Sequence, residues 1–91
     1  MRFQERDGRI LWMVYQYGGV LAFRHIKLMF WPDATPRAAQ KRLAKLVGAG
    51  YLERPTDDQW RTEPIPEPIF WLGWKGILWI AAQFGVDLEA H

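Results

Sequence analysis

Between Thr35 and Leu52 the sequence runs T-P-R-A-A-Q-K-R-L-A-K-L-V-G-A-G-Y-L, and several of its side chains have the chemistry to recognise an anion or a base edge. The guanidinium of Arg37 and the ammonium groups of Lys41 and Lys45 suit phosphate oxygens and guanine edges, and the amide of Gln40 suits adenine. Residues three or four apart share one face of a helix. On that spacing Ala39, Leu43, Leu46 and Gly50 line one side. Arg37, Lys41, Ala44, Lys45 and Gly48 line the other, with Gln40 at its edge. Ala38, Ala44 and Gly48 are small enough to let such a helix sit deep in a groove. Arg42 lies nearer the buried side, where its stem covers the core. Thr35 is placed to cap the first turn and is also a candidate DNA contact, Pro36 suits the first helical position, and Gly48 and Gly50 stop the helix, so a helix is predicted over 36–47. A short basic helix followed by a hairpin is a common way for a small protein to enter the major groove of DNA.

The charge distribution points the same way. The net charge is only +2. Residues 24–45, however, hold Arg24, Lys27, Arg37, Lys41, Arg42 and Lys45 against Asp33 alone, whereas residues 50–91 hold seven acids against Arg54, Arg61 and Lys75. A positive middle favours a polyanion, and a solvated helix face is the plain alternative. Arg24 and Lys27 are candidates for phosphates flanking the groove, a role that positions without reading sequence.

The elements that must carry these residues follow from periodicity and punctuation. Helix one is predicted from an N-cap at Asp7 to about Tyr17, with Ile10, Met13, Val14 and Tyr17 inward and Gly18-Gly19 as its stop. Helix two is predicted from Ala22 to Phe30, with Ala22, Phe23, Ile26, Met29 and Phe30 inward, and Trp31-Pro32-Asp33-Ala34 turns the chain. Tyr51–Arg54 and Ile69–Leu72 read as strands. A polar loop over 55–68 separates them, with Pro64, Pro66 and Pro68 alternating. A last helix is predicted over 74–85, with Ile77, Ile80, Ala81 and Phe84 as its core stripe. Ninety-one residues make one domain, 1–91. The predicted order, α-α-α-β-β-α, is that of a winged helix-turn-helix: mainly α, with a wing of two to three strands.

The residues that carry this order also resemble a known family. Arg6-Asp7-x-x-Ile10-Leu11, a helix ending in Leu28-x-Phe30, Ala39-x-x-Arg42-Leu43-x-x-Leu46-x-x-x-Gly50-Tyr51-Leu52-x-Arg54, and Ile69-Phe70-Trp71-Leu72-x-x-x-Gly76 resemble the winged-helix part of the replication-relaxation family of bacteria and plasmids. The central element is shared with PadR-like and MarR-like regulators. The resemblance covers roughly Arg6 to Gly85 and implies binding of double-stranded DNA in replication or transcription control. Two departures are visible. Gly73-Trp74-Lys75-Gly76 replaces a more polar helix opening, and a further C-terminal region typical of that family does not follow, so the chain reads as a short member or an N-terminal domain.

Other features are weighed against these. Arg54 and Arg61 could reach a minor groove or the backbone, but Asp57, Asp58, Glu63 and Glu67 share that wing and would be repelled. Trp60 in the loop could stack on a ligand or fold back. Six tryptophans are many for this length. Trp12, with Leu11 and Tyr15, and Trp79, with Leu78, are predicted on the outermost faces of the first and last helices, which are apolar around most of their circumference. They are the expected interface of a homodimer; a missing C-terminal region that covers them and a rotated helix assignment are the alternatives. A winged-helix assembly module that no longer binds DNA is the rival reading.

Catalysis, metals, cofactors and small-molecule ligands find no motif. There is no cysteine. His25 stands apart, His91 is terminal, and the acids follow no general acid–base spacing. No apolar run approaches the roughly 20 residues of a membrane span, no signal-peptide pattern opens the chain, and mean hydropathy is −0.23. A cytoplasmic location is the expectation.

Overall fold

Apolar stripes at helical spacing, broken by glycine and proline, produce the elements. The computed structural model describes residues 1–56 and 67–85. Their order is α1 (Glu5–Gln16), β1 (Val20–Ala22), α2 (Phe23–Phe30), α3 (Pro36–Gly48), β2 (Leu52–Glu53), β3 (Ile69–Leu72) and α4 (Trp74–Phe84). The described residues thus form four helices around one small antiparallel sheet of strand order β1-β3-β2. In its register Val20 faces Trp71, Leu21 faces Phe70 and Ala22 faces Ile69, while on the other edge Leu52 faces Leu72 and Glu53 faces Trp71.

β1 is the element the sequence does not announce. Gly18 and Gly19 end α1 at φ of 83° and 95°, a region that L side chains rarely adopt. The chain reverses there and enters the sheet for three residues before α2 begins. Three residues are too few for an alternating pattern to show. The Phe23 amide then donates to the Pro68 carbonyl at 2.9 Å, which ties the start of α2 to the approach of β3.

The core is drawn from every element. Ile10, Leu11 and Val14 of α1, Leu21, Ile26, Trp31, the Ala39–Leu43–Leu46 stripe of α3, Leu52, Phe70 and Ile80 are all buried. Full burial of each large aliphatic side chain contributes about 1.5–3 kcal/mol relative to exposure. α1 starts at Glu5 after Gln4, so Asp7 is a residue of the first turn and not the N-cap. Leu11, expected on an outer face, is completely buried, and Tyr17 and Met29, expected inside, are exposed.

α4 is rotated from its expected phase. Gly76 and Ile80 face inward, whereas Ile77 and Phe84 are exposed. The cause is a close backbone approach. The Lys75 amide donates to the Gly50 carbonyl at 3.1 Å and the Gly73 amide to the Tyr51 carbonyl at 3.0 Å. A Cβ at Gly73 would collide with the Gly50 carbonyl, and one at Gly76 with the Tyr51 carbonyl. Glycine at both positions lets the first turn of α4 rest on the turn that ends α3, and this contact sets the helix's rotation.

Candidate functional site

α3 presents two chemically opposite faces. Ala39, Leu43 and Leu46 are fully buried, while Arg37, Ala38, Gln40, Lys41, Ala44, Lys45 and Gly48 are all exposed. Arg37, Lys41 and Lys45 recur every fourth residue, and a rise of 1.5 Å per residue spreads them over roughly 12 Å of one side of the helix. Among the described residues none of these three is in an ion pair, in contrast to Arg9 with Glu5, Arg24 with Glu67 and Arg42 with Asp7. Small side chains lie between the cations, so the helix surface stays low there. Such a face can approach a groove about 12 Å wide and donate to oxygen acceptors along its walls.

A buried ion pair fixes which face points out. Asp7 is fully buried. Its Oδ1 accepts from Arg42 Nε at 2.9 Å, its Oδ2 accepts from Arg42 Nη2, and the Gln4 amide donates to Oδ2 at 2.8 Å. Arg42 Nη2 also donates to the Arg2 carbonyl at 2.8 Å. The hydrogen bond to Asp7 is the main reason that the Arg42 guanidinium is held above its ordinary pKa; Coulomb attraction to the same carboxylate adds to this and burial opposes it. Arg42 is therefore more than a stem over the core: it locks α3 to the first turn of α1. The signal was present in the sequence. Asp7, Ile10, Leu11 and Val14 follow the i, i+3, i+4, i+7 spacing of a buried stripe, but an acid in first place disguises it.

The flanking candidates divide. Arg24 Nε donates to Glu67 Oε2 at 2.7 Å, so its charge is already matched within the chain. Lys27 Nζ donates to the Trp31 carbonyl at 3.3 Å near the end of α2, the favourable end for a cation. Arg54 is exposed just beyond β2. Thr35 is exposed and its side chain does not cap α3; its carbonyl accepts from the Ala38 amide at 3.2 Å. Arg61 lies outside the described residues, as do Asp57, Asp58, Trp60, Glu63, Pro64, Pro66 and His91.

The expected interface residues also separate. Trp12 stacks on Phe84 with centroids 3.9 Å apart and on Tyr15 at 5.6 Å. Trp79 packs on Phe3 at 5.3 Å and meets Phe84 edge-on at 5.9 Å. Trp12, Tyr15 and Trp79 are thus half-buried in an aromatic cluster that joins α1 to α4 within the chain. Leu11 is in the core. Leu78 alone of that set is exposed, and it is flanked by Trp74 and by Ile77, which was expected in the core stripe.

No group of three His, Cys, Asp or Glu close enough to hold a metal occurs among the described residues. No described helix is long and apolar enough to cross a membrane. No model of a known protein family matches the sequence, and no curated protein matches it.

Proposed function

We propose that the chain is a winged helix-turn-helix domain that binds double-stranded DNA, with α3 as the recognition helix. The observation that carries this reading is the outer face of α3: three unpaired cations and an amide, spaced by small residues, on a helix held from behind by Leu43, Leu46 and the Asp7–Arg42 pair. Arg37, Gln40, Lys41 and Lys45 enter the major groove. Arg54 lies at the flank, and Arg24 reaches a phosphate only by leaving Glu67, so α2 contributes less than α3. A role in replication or transcription control is the corresponding biological reading.

Fluorescence anisotropy of a labelled mixed-sequence duplex, titrated with protein at several salt concentrations, tests this. Three or so phosphate contacts predict that log K falls with log salt at a slope of about −3, since each neutralised phosphate contributes roughly −0.9. Absence of salt-dependent binding would overturn the proposal and leave the rival reading, an assembly module, which the exposed apolar face of α4 favours.

A further inference from the structure

The outer face of α4 carries several exposed large apolar side chains. Trp74 is 62% exposed, Leu78 51% and Ile77 39%. Ala82 is exposed beside them and Ala81 is half-buried. With roughly 150–250 Å² per large side chain, these fractions leave on the order of 300 Å² of apolar surface in contact with water. That reaches the lower end of the greatest apolar patch of an ordinary monomer, about 300–600 Å². Two such faces together supply the apolar centre of a small interface, for which about 1,200 Å² in total, polar rim included, is the lower bound of the usual range.

We infer that this face pairs with the same face of a second copy, the two α4 helices running antiparallel about a two-fold axis at Leu78. The pattern of side-chain size selects this arrangement. About an axis at Leu78, each residue meets the one equally far on the other side, so Trp74 lies opposite Ala82 of the second copy and Leu78 opposite itself. The bulkiest exposed side chain then covers one of the smallest. A parallel pairing would set Trp74 against Trp74 and Lys75 against Lys75. Charge permits the antiparallel contact as well: from Gly76 to Gly85 there is no ionisable side chain. The Lys75 ammonium is drawn aside, 5.5 Å from the Trp74 ring centre and 6.0 Å from that of Tyr51. Such a contact is isologous, and it closes at two copies.

The chain contains no cysteine, which gives a clean test. In the otherwise unchanged full chain, Leu78→Cys places two thiols together on the axis. Mild oxidation should convert most of the protein to a disulfide-linked dimer, while Gln16→Cys, exposed at the end of α1, should form little disulfide-linked dimer. Sedimentation of the unmodified chain should show a dimer that dissociates on dilution. Leu78→Glu should weaken it by about 30-fold or more, as expected when a central interface residue is lost. Ala82→Trp should weaken it through a clash with Trp74, and adding Trp74→Ala to that variant should restore it. These positions are exposed, so circular dichroism should show unchanged folding. A monomer at high micromolar concentration, equal cross-linking of both cysteine variants, or a dimer indifferent to Leu78→Glu would overturn the inference.

Discussion

α3 and α4 are helices of similar length whose outer faces differ completely. Each buries a narrow stripe, Ala39–Leu43–Leu46 in one and Gly76–Ile80 in the other. Outward, α3 shows cations separated by small side chains, and α4 shows Trp74, Ile77 and Leu78. The inner stripes serve the same core. The outer faces are not needed by that core, and they differ in chemistry: one is cationic and well hydrated, the other apolar and gains by leaving water. The means of orientation differ too. α3 is keyed by a buried charge pair and α4 by two glycines against a turn, so each can be disturbed separately.

The strongest disturbance of α3 is from behind. Leu43→Ala should cost about 3–5 kcal/mol, because the side chain is wholly buried and leaves a cavity, and a chemical-denaturation curve measures this. Arg42→Ala should cost about 3 kcal/mol, less than that of a fully enclosed pair because part of the guanidinium still meets water, by stranding the Asp7 carboxylate in the core. Pairing it with Asp7→Ala in a double-mutant cycle should recover a substantial share of the loss, and strictly additive losses would show that the pair is not coupled. On the α4 side, Gly8→Ala should cost about 1–3 kcal/mol through overpacking, since the new Cβ would stand 2.6 Å from the Trp79 ring; thermal melting should show it. Replacing the outer cations of α3 should be the mildest change, with Arg37→Ala or Lys41→Ala within about 0.5 kcal/mol of the unmodified stability. A larger loss would mean that this face is structurally engaged.

The parts of this comparison that the sequence shows are those written in strong periodicity. α3 spans Pro36–Gly48 where 36–47 was expected, Ala39, Leu43 and Leu46 of its inner stripe match while Gly50 lies beyond the helix, and β3 and the end of α4 at Gly85 fall in place. The less legible parts have specific causes. α4 is apolar on nearly every side, so hydrophobicity alone leaves its rotation open, and the backbone contact at Gly73 and Gly76 decides it. α1 hides its buried stripe behind Asp7, which also put Leu11 on the wrong side. β1 depends on pairing with β3, some 50 residues later in the chain, and tertiary pairing of that kind leaves no local trace. Glu67, expected to repel a polyanion from the wing, instead engages Arg24, a contact between distant segments that no spacing rule encodes.

The most direct test of the central claim is one anisotropy titration of a mixed-sequence duplex with the unmodified chain and with the Arg37→Ala/Lys41→Ala/Lys45→Ala variant, run beside their denaturation curves. If α3 is the recognition helix, each side chain that contacts a base contributes about 1–3 kcal/mol. The variant should then lose at least tenfold in affinity, with a shallower salt dependence and nearly unchanged stability. Equal affinity for the two proteins at equal salt would contradict the account, because binding would then reside on some other surface.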